Sequence, residues 1–216
     1  MRTVMSSNNS TLHGSAPDKS SVALLLIDVI NDLDFPEADQ ILEHARSMVP
    51  NIATLKKRAK SQDVPVIYIN DNFGRWRSDF NALVDHCLQD GVRGKPIVEV
   101  LRPDKDDYFV LKPKHSGFFS TTLDTLLEYL GVKTVVLSGM AANICVLFTA
   151  NDAYMRDFQL AVPRDCVASN TQAENQYALE QMEKILKADT RPSHELAFDV
   201  LNKFDIQEQK SQSACV

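Results

Sequence analysis

The chain lacks most features of a nucleic-acid, membrane or disulfide-bound protein. Among its 216 residues, 23 lysines and arginines are outnumbered by 29 aspartates and glutamates, for a formal charge of −6. A nucleic-acid grip needs a concentrated basic face, and here the cations are scattered among acids, so no nucleic-acid partner is expected. Its longest apolar run, Val22 to Ile27, is far short of the ~20 residues of a spanning helix, so no membrane association is expected either. Four cysteines, Cys87, Cys145, Cys166 and Cys215, form no CxxC pair and have no metal-ligand spacing. They fit free thiols in a reducing compartment better than a disulfide framework. Residues 1–20 are rich in Ser, Asn and Thr without an apolar core of the secretory type, and read as a disordered N-terminal tail of a cytoplasmic protein. Residues 21–205 read as one domain with neither internal repeat nor linker, and residues 206–216 as a flexible C-terminal tail.

What is present is an alternation of short apolar runs with stretches of helical period. Val22–Ile27, Val64–Ile69, Tyr108–Leu111, Thr134–Leu137 and Leu160–Val162 read as strands. A short sixth strand near Thr190 would lead into a helix over Ser193–Leu201. Leu42, Ala45, Val49, Ile52 and Leu55 share one helical face, with Pro50 placed to kink or restart the helix. Leu123, Leu126, Leu127 and Leu130 form a second stripe, opened by a Thr121/Asp124 capping box and ended by Gly131. Thr171 and Glu174 open a third helix, with Ala178, Met182, Ile185 and Leu186 on one face. Continuous apolar strands alternating with helices predict a three-layer α/β/α sandwich around a mostly parallel, Rossmann-like six-stranded sheet.

Ligands of such sheets sit beyond the carboxyl ends of the strands. That rule selects Asp28, the Asn70-Asp71-Asn72 turn, Lys112 and the Gly139–Cys145 turn. Each has an ordinary structural account: a loop-capping aspartate, a lysine reaching water, a cysteine that merely packs. An acid, a base and a thiol at three carboxyl ends of one sheet is a less expected coincidence.

The ordered motifs resemble the isochorismatase-like superfamily of cysteine hydrolases. The resemblance rests on Leu25-Leu26-Ile27-Asp28 with Asn31-Asp32; on Lys112, Ser116 and Phe118, then Thr122-Leu123; and on Gly139 to Cys145-Val146 with Thr149-Ala150 and Asp152-Ala153, then Val162 and Asp165. It implies Cys145 as nucleophile, Asp28 as proton-transfer residue and Lys112 as their electrostatic partner. It also implies a non-proline cis peptide at Met140-Ala141, with the amides of Ala141 and Cys145 forming an oxyanion hole. General chemistry agrees: an ammonium and a helix N-terminus lower a thiol's pKa, and a carboxylate can take its proton and pass it to a leaving amine. Asp165 reads as a structural anchor.

The resemblance implies a small-molecule substrate, no cofactor, and a homo-oligomer such as a dimer or tetramer. Members of the resembled family that hydrolyse nicotinamide place an Asp-x-His metal motif after the second strand. The corresponding stretch here, Asn70 to Arg77, carries no histidine, and His86 and His115 read as surface or pocket-rim residues, so no catalytic metal is expected. Ile30 and Leu33 replace the Gln and Phe usual in the first motif, so Phe35 or Phe73 is a candidate pocket aromatic. Asn70, Asn72, Trp76 and Phe118 complete the candidate substrate contacts, with Trp76 equally able to pack a loop or a subunit contact. Arg75 and Arg77 read as a solvated pair. The expected reaction is hydrolysis of a small amide, ureide or imide through a thioester, with Asp28 activating the water. Vinyl-ether hydrolysis of isochorismate, or a catalytically silent interaction protein, are the alternatives. The segments Asp32–Asp39 and Phe73–Pro103 are read as the loops that set the substrate.

Overall fold

The computed structural model describes residues 19–72 and 79–201. The N-terminal tail up to residue 18, the tail from 202, and the candidate residues Phe73, Arg75, Trp76 and Arg77 lie outside the described residues.

Strand β1 (Val22–Ile27) is buried along its whole length. Side chains of a strand alternate between faces. Val22, Leu24 and Leu26 therefore join one core and Ala23, Leu25 and Ile27 the other. That split explains the unbroken apolar run: a central parallel strand has no face left for water. The first core is closed by α1 (Ala38–Ser61), through Ile41, Ala45, Met48, Ile52 and Leu55, with α2 (Phe80–Cys87) and α3 (Lys95–Val100). The second is closed by α4 (Leu123–Leu130), α5 (Leu147–Tyr154) and α6 (Gln172–Lys184).

The other strands are β2 (Val66–Asp71), β3 (Tyr108–Lys112), β4 (Thr134–Met140), β5 (Gln159–Ala161) and β6 (Val167–Ala168). Their order is β3-β2-β1-β4-β5, and all pairings are parallel. The chain winds outward from β1 to β3, then returns to place β4 on the other side of β1. The carboxyl ends of β1 and β4 thus form the switch point of the sheet. Ile27 is in register with Gly139 there. This is the three-layer α/β/α fold expected.

Several elements differ in detail. The sixth strand is Val167–Ala168, on the end of β4, whereas the chain near Thr190 makes only an isolated bridge between Ala161 and Asp189. Pro192 follows closely, and the carboxylate of Asp165 binds Ser193 through its backbone N–H (2.7 Å) and hydroxyl (2.8 Å), which is the anchoring role expected of Asp165. The expected helix from Ser193 begins as a 3₁₀ turn, Ser193–Glu195, and is interrupted by extended backbone at Leu196. Helix α1 runs through Pro50 unbroken. The Thr171/Glu174 capping box forms, and Gly131 ends α4 with φ 81°. No Thr121/Asp124 box forms. Thr121 instead donates to the carbonyl of Gly117, and its oxygen accepts from the N–H of Leu123, leaving Thr122 at the cap. Ile185 is exposed because α6 stops at Lys184. The segment read as one long loop contains α2 and α3, which bury Phe80, Val84, Cys87, Ile97 and Val98.

None of the described helices is long and apolar enough to cross a membrane.

Candidate active site

Three strand ends converge at the switch point. Asp28 leaves β1 with φ 52°, a left-handed backbone unusual for a residue with a side chain, and its N–H is held by Ile69 O at 2.8 Å. The turn aims its carboxylate along the sheet's carboxyl edge. There Oδ1 accepts the N–H of Asp71 (2.8 Å) and Oδ2 lies 2.9 Å from Lys112 Nζ. Lys112 ends β3, two strands away, and is fully buried. Its ammonium also lies 3.6 Å from Asp71 Oδ2 and donates to Cys145 Sγ at 3.5 Å. Sequence reasoning thus named three residues that the fold brings into one hydrogen-bonded group.

Cys145 is delivered from β4. Gly139 has φ 113°, and a Cβ there would sit 2.0 Å from the Ile27 carbonyl oxygen, so only glycine lets β4 lie against β1 at this point. The Met140–Ala141 peptide is cis, as expected. The chain then makes a π-helical turn, Ala142–Val146, before α5 begins at Leu147. Cys145 therefore sits in a widened turn ahead of the α-helix, a geometry often found at functional sites.

The remaining motif residues act as pins. Ser116 Oγ donates to Asp152 Oδ2 (2.5 Å), and Gly117 N donates to Thr149 Oγ1 (3.0 Å), whose hydroxyl donates to Cys145 O (2.7 Å). Arg156 holds Asp152 from the next turn at 3.2 Å. These bonds tie the loop after Lys112 to the helix after Cys145, and so fix the lysine relative to the sulphur. Their role was not read from the sequence, although the T-A-x-D-A pattern contains two of them.

The electrostatics correct one expectation. Burial pushes the Cys145 thiol up to about 12; Asp28 adds to the shift, and Lys112 opposes it without reversing it. The net shift favours the protonated sulphur, opposite in direction to the lowered pKa expected. Lys112 itself is disfavoured as a cation by burial, but Asp28, Cys145 and Asp71 more than compensate and raise its pKa. Its charge is thus largely committed to Asp28, the nearer partner.

His115, read as a rim residue, stands with Nδ1 3.9 Å from Cys145 Sγ, its ring 5.5 Å from that of Phe148. His86 pairs with Asp32 at 3.3 Å. Among the candidate substrate contacts, Asn70 is fully buried and donates from Nδ2 to Ile30 O at 2.7 Å, and Asn72 is buried. Phe118 packs in the second core, beside Phe158 and under the Arg156 guanidinium, and Phe35 lies exposed before α1. Asp104, Asp106 and Asp107 are, among the described residues, an acidic group close enough to share a cation, but Lys56 and Lys60 are ion-paired with it.

A doubly wound α/β protein with a Cys-Lys-Asp group at its switch point is the class that fold and site define. Residues 22–190 match the Isochorismatase family, described as an isochorismatase domain, and the chain belongs to that family of hydrolases. It is 43% identical over 171 residues to the uncharacterized isochorismatase family protein YaaI of Bacillus subtilis, covering 79% of this chain and 93% of that one. A stretch of 71 residues is 38% identical to ureidoacrylate amidohydrolase RutB of Methylorubrum extorquens, covering 33% of this chain and 29% of RutB. The structure of N-carbamoylsarcosine amidase from Thermoplasma acidophilum superposes with a TM-score of 0.63 at 26% identity, covering 82% of this chain and 98% of that one.

Proposed function

We propose that the chain is a cysteine amidohydrolase that cleaves a C–N bond of a small non-peptide amide, ureide or imide. The carrying observation is the buried ammonium of Lys112, bonded at once to Asp28 (2.9 Å) and to Cys145 Sγ (3.5 Å). The names of the relatives, ureidoacrylate amidohydrolase and N-carbamoylsarcosine amidase, support the ureide branch of this reading.

Burial disfavours an anion on Sγ, so attack and deprotonation are coupled. Sγ bonds to the substrate carbonyl carbon as its proton passes to Asp28. The developing oxyanion is met by the backbone N–H groups of Ala141 and Cys145, the kind of donor whose loss typically costs about a hundredfold or more in rate. Collapse breaks the C–N bond, and Asp28 returns the proton to the departing nitrogen. A thioester on Cys145 remains, and water hydrolyses it. Throughout, Lys112 stays bonded to the Asp28 carboxylate and steadies the transient negative charge on sulphur.

The substrate is proposed to be a small molecule and the protein a homo-oligomer, which sedimentation velocity checks directly. The reaction is tested by ammonia release across a panel of small amides and ureides, run on wild type beside Cys145→Ala. Turnover confined to the wild type, with a thioester adduct on Cys145, is the expected result; full turnover by Cys145→Ala would refute the nucleophile. Isochorismate turnover that survives Cys145→Ala would instead favour the vinyl-ether reaction.

A further inference from the structure

We infer that His115 is a second catalytic residue, the base that activates water for hydrolysis of the Cys145 thioester. This rests on the cysteine-hydrolase reading and divides its two proton transfers between two groups.

Asp28 is well placed for the first transfer and poorly placed for the second. Its side chain is only 8% exposed, and both oxygens are engaged, Oδ2 with Lys112 and Oδ1 with the N–H of Asp71. A proton moving between sulphur and leaving nitrogen stays inside this group. Hydrolytic water must come from solvent. His115 is exposed, and its Nδ1 lies 3.9 Å from Sγ. That separation is long for a direct hydrogen bond. It suits an imidazole that reaches, through one water, a carbonyl carbon bonded to the same sulphur. The ring is not loosely placed. Lys112 on one side is fixed by its ion pair, Ser116 on the other by Asp152, and Phe148 lies beside the imidazole.

In the step itself, neutral Nδ1 takes one proton from water while the water oxygen bonds to the thioester carbon. The tetrahedral intermediate then expels sulphur, the C–S bonding pair staying on Sγ. The proton on Nδ1 passes to Sγ, which restores the thiol and the neutral imidazole. One water is consumed, and the acyl group leaves as a carboxylic acid.

The probe is 4-nitrophenyl acetate, whose leaving group needs no protonation, so that acylation and deacylation separate. Wild type, His115→Gln and Cys145→Ala are compared for the nitrophenolate burst and the steady rate after it. The expected result for His115→Gln is a burst within about threefold of wild type and a steady rate lower by roughly a hundredfold, the usual worth of a general base. Intact mass would then show acetylated Cys145 accumulating, and hydroxylamine added to the desalted acetyl-enzyme would discharge both proteins at similar rates, because it needs no base. Equal deacylation by wild type and His115→Gln, or a burst slowed as much as the steady rate, would overturn the role of His115. A burst that persists in Cys145→Ala would instead overturn the cysteine-hydrolase reading beneath it.

Discussion

Lys112 Nζ and Asp28 Oδ2 are 2.9 Å apart, and the two side chains are 0% and 8% exposed. Removing one partner of such a pair strands the other without water, which typically costs about 3–5 kcal/mol, whereas replacing both is far milder. Lys112→Met is therefore expected to lower unfolding stability by about 3 kcal/mol, and adding Asp28→Asn to recover much of that loss. Urea unfolding of the two single variants and the double variant measures the coupling; additive losses would show that the pair does not act as a unit. Activity is expected to vanish in all three, which separates the stability of the site from its use.

The raised pKa of Cys145 gives a second expectation. At neutral pH the sulphur should alkylate with iodoacetamide more slowly than a free thiol, since burial and Asp28 both raise its pKa. Asp28→Asn removes one of those causes, so alkylation should quicken although turnover is lost. Lys112→Met removes the opposing cation, and alkylation should slow further. Rates at pH 7 to 9, read by mass spectrometry on Cys145, check all three; a wild-type thiol more reactive than glutathione would overturn the coupled-attack account.

The Ser116–Asp152 bond predicts a loss of rate without loss of chemistry. Asp152→Ala breaks the contacts to Ser116 and Arg156 that tie the Lys112 loop to α5. A misplacement of about 1 Å near reacting atoms can cost up to a hundredfold, so kcat should fall by roughly ten- to a hundredfold. Asp152→Asn, which still accepts from Ser116, should lose much less.

Gly139→Ala tests the approach of β4 to β1. The added methyl would meet the Ile27 carbonyl, and alanine disfavours φ 113° in any case. A loss of about 3 kcal/mol or more in urea unfolding is expected, against about 1 kcal/mol for Gly91→Ala, where φ is 84° but a Cβ meets nothing within 4 Å, so that only the backbone penalty applies. Equal losses at the two positions would show that only the backbone penalty counts and that the close contact is easily relieved.

Much of this was legible in the sequence because it depends on periodicity and on strand ends. Six apolar residues in β1 fix a strand buried on both faces, and the residue after them is then at the sheet's carboxyl edge whatever the details. Hence Asp28, Lys112 and Cys145 could be named together. Less legible were features set by a balance of tertiary forces. The raised pKa of Cys145 follows first from burial of its sulphur and then from its closeness to Asp28, neither of which spacing reveals. Helices α2 and α3 are only 8 and 6 residues long, too short for a clear helical period. His115 carries no motif of its own; its closeness to sulphur follows from the pins on either side of it.

Alkaline pH should destabilise the protein through its buried thiols. Cys87 and Cys166 are fully buried, and burial pushes both up to about 12. In the unfolded chain a cysteine loses its proton near pH 8.5, so between about pH 9 and 12 the unfolded state binds fewer protons than the folded one. Stability then falls as pH rises, by about 1.4 kcal/mol per pH unit for each thiol once titration is complete. The raised pKa of Lys112 acts in the same direction once pH passes the ordinary lysine value, because its stabilising charge is lost in the unfolded state first. Below pH 8 none of these groups should contribute a slope. Urea unfolding from pH 7 to 10.5 is expected to show a flat region followed by a decline, and Cys87→Ala with Cys166→Ala to flatten that decline while lowering stability at pH 7 through the cavities left behind. A wild-type curve that stays level to pH 10.5 would mean that the two thiols titrate as freely in the folded protein as in the unfolded chain.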